Sequence, residues 1–563
     1  MNEPPLYPPI DPTTFDLIVV GTGLPESVIA AAASASGKSV LHIDQNNFYG
    51  SHFASLTIPQ LTSFLNANST SLPPPSSSNT VTSSDDFSVE NLTTRPLYSD
   101  VEISSFSNQL LEENSNKFYL DLSGPRVLFC ADRSIDFLIK SGASQYVEFK
   151  SIDASFLGDE NGKLWNVPDS RAAIFKDKSL SLMEKNRLMR FFKLVQGQLA
   201  ASSGGDRVNE NKEEEQESES PGISEEDLER PFVEFMTKMK LPSKIKSIIL
   251  YAIAMADFDQ DNKEECKDLL KTKDGIARLA LYQSSVGRLT NALGAFIYPI
   301  YGQGEMPPAF CRRAAVKGCV YVLRMQVIAL LMDKSSGMYK GIRLASGQDI
   351  FSQKLVLNPS LTVLSASSSP LDSFHERFHF LCLRDVKQKV ARGICIIRSS
   401  LKPDVSNFLV VYPPRSLYPE QITSIRALQL GGNLAVCPPG MFVLYVSALC
   451  DDAHEGKKLL NAAMNALLTC PDSVNPESIS TDQIENSGPK STLLWRALYI
   501  QELTMGHFDS ISSTPMPSGN LDHNDILDSA MKLYQKMYPN EEFFPDTTSP
   551  ENCEQDDELS LET

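Results

Sequence analysis

The residues best spaced for cofactor chemistry lie near the N-terminus, where Gly21-Thr-Gly23 follows a short apolar stretch. A dinucleotide-binding loop has the pattern G-x-G-x-x-G because its helix and strand pack closely and the pyrophosphate sits on the helix N-terminus. Asp44 follows 21 residues after Gly23, at the place of a ribose-binding acid. Glu26 replaces the third glycine with a carboxylate that would repel a pyrophosphate. We therefore predict a vestigial dinucleotide loop without bound flavin, formed by Gly21, Gly23, Glu26 and Asp44.

Two other patterns resemble metal sites. His375-Glu-Arg-Phe-His379 matches the zinc-binding sequence H-E-x-x-H, which needs a helix and a third protein ligand, and no later His/Glu cluster stands out as that ligand. Residues 257–268 resemble half of an EF-hand, with acids at loop positions one, three and five. Asn262 replaces the usual glycine and Asp268 replaces the bidentate glutamate. We predict that neither segment binds a metal.

Changes in apolar periodicity indicate the elements that position the glycine loop. Residues 15–20 and 39–43 are short apolar strands, and the alanine-rich stretch between them indicates a helix, so that the three make a βαβ unit. Apolar residues at helical spacing then recur over 188–195, 232–239 and 245–253. The pattern predicts a multi-sheet, Rossmann-type α/β domain with a smaller all-helical domain inserted into it.

Composition sets the predicted domain boundaries. Ser and Thr dominate residues 69–84, which predicts a flexible insertion, and acids dominate residues 206–230, which predicts a solvated loop. The predicted arrangement is a discontinuous α/β domain (1–57, 116–167 and 269–540), a Ser/Thr-rich insertion (58–115), a helical domain (168–268, with an acidic loop at 203–230) and an acidic disordered tail (541–563).

The charge balance excludes several classes of protein. The 563 residues include 51 Lys and Arg against 70 Asp and Glu, a net charge of −19, whereas a nucleic-acid binder needs a basic face. No apolar run approaches the roughly 20 residues that span a bilayer, and the acidic, Pro-rich N-terminus lacks the basic start of a signal peptide. The scattered cysteines, without a CxxC pair, are typical of reduced thiols. These features predict a soluble, cytosolic protein.

Two segments resemble the signatures of one family, the Rab escort protein and Rab GDP-dissociation inhibitor superfamily. Its opening is matched by residues 15–50, FDLIVVGTGLPESVIAAAASASGKSVLHIDQNNFYG, and its second signature by residues 298–318, YPIYGQGEMPPAFCRRAAVKG. The resemblance continues through residues 145–168 and 390–397. It implies a fold shared with FAD-dependent oxidoreductases, in a protein that carries Rab GTPases. The glutamate in the glycine loop belongs to the family's pattern.

The resemblance implies roles for individual residues, none of them catalytic. The Rab-binding platform corresponds to Tyr49, Gly50, Arg288, Tyr301, Gly302, Gly304 and Glu305. The site for the Rab C-terminus corresponds to Val390, Ile394, Ile396 and Ile397, transferase docking to Phe235 and Lys246, and the prenyl groove to Leu188, Phe191, Phe192, Phe232 and Met236. Lys246 stands where animal escort proteins have Arg, which removes a bidentate fork. Each assignment has a structural alternative. Tyr301 could be an ordinary core tyrosine, the alternating apolar residues at the site for the Rab C-terminus could belong to a core strand, and the apolar residues of the prenyl groove could form a plain helical core.

Within the superfamily, the greater length and the two excursions, at about 58–115 and 203–230, favour an escort protein. The resemblance then implies a non-catalytic subunit that binds unprenylated, preferably GDP-bound Rabs and presents them to the Rab geranylgeranyltransferase alpha/beta heterodimer. It would deliver the prenylated product to membranes, so the geranylgeranyl group and a transient membrane contact are expected, and no nucleic acid. A Rab GDP-dissociation inhibitor is the nearest alternative, and a flavin-dependent oxidoreductase is a more distant one.

Overall fold

The computed structural model describes residues 8–69, 87–107, 111–168, 181–202, 223–264, 266–292, 294–363, 385–469, 490–504 and 511–545. The strands within these ranges are β1 Thr14–Val20, β2 Val40–Asp44, β3 Ser55–Leu56, β4 Phe87–Thr94, β5 Tyr98–Ser105, β6 Leu120–Asp121, β7 Leu128–Phe129, β8 Phe149–Ser151, β9 Ala154–Gly158, β10 Leu164–Asn166, β11 Phe296–Pro299, β12 Val320–Leu323, β13 Val327–Asp333, β14 Tyr339–Leu344, β15 Asp349–Leu357, β16 Leu361–Val363, β17 Asp385–Ile397, β18 Phe408–Tyr412, β19 Ile425–Gly431, β20 Phe442–Cys450, β21 Leu468–Thr469, β22 Ser491–Thr504 and β23 Ile511–Ser513.

The α-helices within the same ranges are α1 Leu24–Ala35, α2 Ile58–Ser69, α3 Arg133–Ser141, α4 Leu182–Ser202, α5 Glu225–Glu229, α6 Phe232–Lys238, α7 Ser243–Ser247, α8 Thr272–Ser285, α9 Met306–Val316, α10 Ala453–Leu467 and α11 Asn524–Met537. A π-helix at Ile248–Ile253 continues α7. Short 3₁₀ turns lie at Ser51–Phe53, Ser115–Lys117, Ala143–Tyr146, Gln303–Glu305 and Gly432–Leu434.

The first sheet has a parallel core in the order β12-β2-β1-β15, and β23 pairs in parallel with β15. Strands β14, β13, β4 and β16 continue the sheet in antiparallel. Helix α1 packs against α9 and α11, and the alanines Ala30 to Ala33 are buried in this contact. Their small side chains allow the helices to approach closely. The predicted βαβ unit and Rossmann-type fold are confirmed.

The glycine loop lies at the carboxyl ends of β1 and β2, and side chains of the chain itself fill it. Asp44 accepts hydrogen bonds from the Thr22 amide (2.8 Å), the Thr22 hydroxyl (2.7 Å) and the Ser51 hydroxyl (2.8 Å). Glu26 is fully buried and accepts from the Thr514 hydroxyl through Oε1, while Oε2 has no hydrogen-bond partner. A Cβ at Gly23 would collide with this Oε2. Burial raises the pKa of Glu26 to about 7.

The second sheet has the order β10-β9-β18-β19-β20-β17-β22-β21, with β5 beside β22. Strand β17 runs antiparallel between β20 and β22, and α10 packs against it. Its Arg392 is fully buried and donates to Gln501 Oε1 (2.7 Å) and to the Ser518 carbonyl (2.8 Å). The same guanidinium donates to the carbonyls of Ser123 and Gly124, both at 2.8 Å. Arg392 therefore ties the second sheet to two distant segments.

The predicted flexible insertion at 58–115 is wrong for its two ends. Residues 58–69 form α2, and β4 and β5 join the first and second sheets by pairing with β13 and β22. Tyr98 of β5 is buried and its hydroxyl lies 2.8 Å from His52 Nδ1. The prediction extended the Ser/Thr-rich composition of residues 69–84 to the residues on either side. Those flanking residues contain apolar and threonine side chains that suit strands. Residues 70–86 and 108–110 lie outside the described part of the chain.

The helical region shares its core with the second sheet. Phe191, Phe232 and Met236 belong to the same buried apolar cluster as Ile394 and Tyr445. Helix α8 packs against α5, α6 and the π-helix, so the helical region extends beyond the predicted boundary at residue 268. Most of the predicted acidic loop, residues 203–222, lies outside the described residues.

Two predicted disordered segments contain ordered structure at one end. Residues 225–229 form α5, which is capped by Ser224, whose hydroxyl accepts from the Asp227 amide at 3.2 Å. At the predicted acidic tail, Phe543 and Phe544 are buried against α9 and α11, so order continues to residue 545. Both errors arose because the prediction relied on the acidic composition and overlooked a few apolar side chains, Leu228, Phe543 and Phe544, that pack against the core.

We expect Glu26→Gln to stabilise the protein at alkaline pH. The folded-state pKa of about 7 lies above the ordinary glutamate value of 4.5, so folding favours the protonated carboxyl and stability falls as pH rises between these values. At about 1.4 kcal/mol per pKa unit, the loss is on the order of 3 kcal/mol by pH 8. Glutamine removes this penalty and still accepts from Thr514.

Thermal unfolding at pH 5 and pH 8 checks this expectation. The variant should exceed the parent's Tm at pH 8 and approach it at pH 5, while Glu160→Gln, at an exposed position, should match the parent at both. A Tm difference independent of pH would contradict the assignment of a raised pKa to Glu26.

Candidate functional site

The loop that follows β11 presents Tyr301 to solvent. Tyr301 has a φ of 71° and Gly302 a φ of 103°, so the backbone reverses at these two residues, and 49% of Tyr301 is exposed. A Cβ at Gly302 would lie 2.7 Å from Asp121 Oδ1 and would collide with Ser55 Oγ. A Cβ at Gly304 would collide with the Ser55 amide. Both glycines are therefore needed for residues 298–305, hereafter the 298–305 loop, to lie against β3 and β6.

A buried carboxylate, Asp121, holds the 298–305 loop in place. Its oxygens accept from Ser55 Oγ (2.6 Å), from the Gln303 amide (3.0 Å) and from the Tyr298 hydroxyl. The Gly304 amide donates to Ser55 Oγ at 2.7 Å, which adds a second link to the same group. Burial raises the pKa of Asp121 to about 6, although the hydrogen bonds favour the ionised form. The loop is thus attached to the Asp121 and Ser55 side chains at three positions, Tyr298, Gln303 and Gly304.

The other predicted platform residues lie along the edges of this region. Tyr49 is half-buried, with its ring 6.3 Å from that of Tyr321 in a T-shaped arrangement. Gly50 has a φ of 104°, and a Cβ there would lie 2.8 Å from Ala54 Cα. Arg288 is exposed and pairs with Asp136 of α3 at 3.9 Å, so its ion-pair partner lies outside the predicted platform.

Sequence reasoning missed Arg312 as a neighbour of the platform. Burial raises the pKa of Glu305, and the nearby Arg312 guanidinium opposes that shift. Burial also raises the pKa of Tyr49, and the positive charge of Arg312 opposes that shift as well. The Arg312 guanidinium lies 5.9 Å from the centre of the Tyr146 ring. The signal was available in the sequence, because Glu305 directly precedes α9 and Arg312 lies about two turns into that helix. Arg312 therefore joins Glu305 and Tyr49 in one electrostatic neighbourhood.

The predicted site for the Rab C-terminus at Val390, Ile394, Ile396 and Ile397 is wrong as a surface patch. All four side chains have zero exposure, because β17 is a central strand covered on both faces. The alternation reflected a core strand. Of the four, Val390 belongs to a small buried apolar cluster with Phe258 and Leu449.

A cleft of about 880 Å³ lies beside that cluster, where β17 begins. Phe258, Leu449 and Leu503 contribute its apolar lining, and residues 386–388 form one wall. Strand β17 pairs with β20 from Lys389 onward, so residues 386–388 precede that pairing and leave a strand edge at the cleft. An extended peptide could pair with such an edge.

The predicted transferase and prenyl contacts lie mostly inside the helical core. Phe235 is 5% exposed, with its ring 6.2 Å from that of Phe191. Lys246 is half-buried and donates to Thr237 Oγ1 at 3.3 Å. Of the predicted groove residues, Phe192 is partly buried and the others are almost wholly buried: Leu188, Phe191, Phe232 and Met236. An open groove at these residues is therefore wrong for this structure, in which they form a helical core.

Ion pairs account for two of the acids that resembled a calcium loop, Asp257 and Asp259. Asp257 pairs with Arg426 at 2.7 Å and Asp259 with Arg415 at 2.8 Å. No cluster of His, Cys, Asp and Glu within the described ranges has the arrangement of a metal site. His375 and His379 lie outside those ranges, and among the helices that the structure describes none is long and apolar enough to cross a bilayer.

Comparison with known proteins identifies the family of this chain. The model of the GDP dissociation inhibitor family matches residues 11–93 and 88–367. Rab escort protein 1 of Arabidopsis thaliana is 60% identical over 556 residues, covering 98% of this chain and 97% of that protein. The Rab proteins geranylgeranyltransferase component A of Drosophila melanogaster is 27% identical over 97% of this chain and 93% of its own length.

A solved structure extends this result to the fold. The crystal structure of a Rab GDI from Plasmodium falciparum superposes with a TM-score of 0.65 at 18% identity, covering 94% of this chain and 99% of that one. At 18% sequence identity, this similarity supports the fold and says nothing about function. Together with the family match over more than half of the chain and the near full-length relative, these findings show that the chain belongs to the GDP dissociation inhibitor family and, within it, to the Rab escort proteins.

Proposed function

We propose that this chain is the escort subunit for Rab prenylation: it binds unprenylated, GDP-bound Rab, presents it to Rab geranylgeranyltransferase and delivers the product to membranes. The observation that carries the proposal is the 60% identity to an escort protein over almost the entire length. The chain acts as an accessory subunit, and the transferase supplies the chemistry. It cycles between the cytosol and membranes.

Substrate recognition explains why a separate subunit is useful. The C-terminal tail of a Rab is disordered and differs between Rabs, so a transferase cannot select it by a fixed motif. A subunit that recognises the folded GTPase domain can hold the tail near the transferase at high effective concentration. The specificity then comes from the folded domain, and the tail needs only to be long enough to reach the transferase.

The platform around the 298–305 loop suits recognition of a folded domain. Tyr301 offers a large exposed ring and a hydroxyl with few rotatable bonds, as binding hot spots do. Tyr49, Glu305 and Arg312 add a half-buried ring and two opposite charges in one neighbourhood. Because Asp121 already orders the loop, little conformational entropy is lost on binding.

The cleft beside β17 replaces the buried residues of that strand as the proposed route of the Rab tail. An extended tail would pair with residues 386–388 and place an apolar side chain against Phe258, Leu449 and Leu503. Lys267 and Lys387 also line the cleft. The tail would then pass from a folded domain on the platform toward the transferase.

Transferase docking and lipid binding involve the helical region. Lys246 on α7 is accessible enough to form an ion pair, whereas Phe235 requires the surrounding helices to shift before it can contact a partner. The prenyl group needs apolar shelter, because each buried CH₂ contributes about 0.8 kcal/mol. We propose that α4 and α6 separate to admit it between Phe191, Phe232 and Met236, where methionine adapts to irregular ligands.

Two other functions are disfavoured. A GDP-dissociation inhibitor would extract prenylated Rab without supporting its prenylation, and the near full-length similarity to an escort protein argues against that role alone. A flavin oxidoreductase would need pyrophosphate space at the glycine loop, where the buried Glu26 carboxyl lies against Gly23. We propose that the chain functions without a flavin.

Reconstituted prenylation tests the proposed function, with Tyr301→Ala as the variant. Purified Rab, transferase heterodimer and geranylgeranyl diphosphate should give prenylated Rab only when this chain is added. At sub-saturating Rab, Tyr301→Ala should lower the rate about tenfold, as expected for loss of an exposed aromatic hot spot. Met338→Ala, at a position that is 53% exposed in the turn between β13 and β14, is the matched control. Prenylation independent of the chain would refute the proposal.

The tail cleft is tested by Leu503→Asp. A carboxylate on this half-buried lining residue should weaken binding of full-length Rab several-fold, because it opposes burial of an apolar tail side chain. Binding of a Rab truncated before its tail should be unchanged. Titration of both Rab forms measures the difference, and equal weakening of the two would contradict the cleft assignment.

Transferase docking is tested by reversing the charge of Lys246. We expect Lys246→Glu to weaken binding of the transferase heterodimer about tenfold while Rab affinity stays unchanged, because α7 lies apart from the platform residues. Lys246→Arg should retain or improve docking, since its guanidinium keeps the charge and adds a fork. Calorimetry with each partner separates the two affinities, and a parallel loss of both would count against this division of surfaces.

A further inference from the structure

A second exposed aromatic ring lies against Tyr301. Tyr119 is 37% exposed, and the centroids of the two rings are 5.6 Å apart in a T-shaped arrangement. Single exposed apolar side chains are common on protein surfaces, whereas adjoining ones form a patch that marks an interaction site. Edge-to-face packing also limits the motion of both rings. The two tyrosines therefore form one continuous surface, hereafter the tyrosine pair.

The backbone under the tyrosine pair is held from two sides. Tyr119 precedes Asp121 by two residues, and Tyr301 precedes Gln303, whose amide donates to Asp121 Oδ1 at 3.0 Å. On the other side, the amides of Tyr119 and Tyr301 donate to the carbonyls of Val436 and Leu434, both at 2.9 Å. Three distant segments of the chain thus converge to fix the separation of the rings.

We propose that Tyr119 is a second Rab-contacting residue and that the tyrosine pair binds the folded GTPase domain as a unit. This inference rests on the proposed function, and it adds a residue for which the sequence offered no signal. The lack of signal is physical: Tyr119 lies between the buried residues Phe118 and Leu120 in a short apolar run, so periodicity alone leaves its direction open.

The surroundings define the chemistry of the contact. The two rings offer apolar area with hydroxyls at their ends, and the exposed Lys150 donates to the Asn433 carbonyl at 3.4 Å in the turn that also anchors the rings. A partner surface that fits has an apolar recess with a carboxylate beside it. Pre-ordering of the rings keeps the entropic cost of binding low.

A double-mutant cycle on the full-length chain tests the proposal. The affinity for GDP-bound, unprenylated Rab is measured for the parent, Tyr119→Ala, Tyr301→Ala, the double variant and Tyr119→Phe. We expect each alanine variant to bind about tenfold more weakly. The double variant should lose clearly less than the product of the two single losses, because each ring supports the other. Tyr119→Phe keeps the ring and should stay within threefold of the parent.

The outcomes separate this inference from the proposed function. Tyr119→Ala binding within twofold of the parent, alongside a weakened Tyr301→Ala, would overturn the tyrosine pair and leave the escort function standing. Strictly multiplicative losses would also overturn it as a unit. A parent chain that binds no Rab would refute the proposed function itself. Thermal unfolding confirms that each variant is folded, and Met338→Ala again provides the control.

Discussion

The buried carboxylate of Asp121 is the constraint on which the surface chemistry depends. It accepts hydrogen bonds from a hydroxyl on β3, a hydroxyl on β11 and an amide in the 298–305 loop, while its own amide donates to the Tyr445 hydroxyl of β20 at 2.9 Å. One residue therefore connects the second sheet, a small sheet and a loop that the glycines Gly302 and Gly304 allow to approach. The exposed tyrosines owe their positions to this buried group.

The local parts of the fold could be predicted from the sequence, and the distribution of burial could not. The βαβ unit was predictable because glycine spacing, alanine content and the two apolar strands all depend on neighbouring residues. The role of β17 depends on strands far away in the chain: whether Ile394 and Ile396 face a groove or a core is decided by helices and sheets that periodicity does not specify. The same limit applies to Phe235, whose helical spacing suits a docking face and a core equally well.

The contacts of the acidic side chains at the glycine loop could not be predicted from the sequence. A carboxylate at position 26 was expected to exclude a pyrophosphate, and the structure shows that carboxylate folded over Gly23 and bonded to Thr514, a residue from the other end of the chain. Asp44, expected as the vestige of a ribose contact, instead holds Thr22 and Ser51. Residues that match a ligand-binding motif can thus have structural partners that the motif does not reveal.

The order of strands in the first sheet has a consequence for synthesis on the ribosome. Strand β1 is among the first to be made, but its neighbour β15 ends at residue 357, and β23, which pairs with β15, begins at residue 511. At roughly 5–20 residues per second, the about 340 residues between the end of β1 and the end of β15 take on the order of 20 to 70 s to add. During that interval β1 lacks its partner β15 and its apolar side chains stay incompletely covered, so we expect the nascent chain to bind ribosome-associated chaperones.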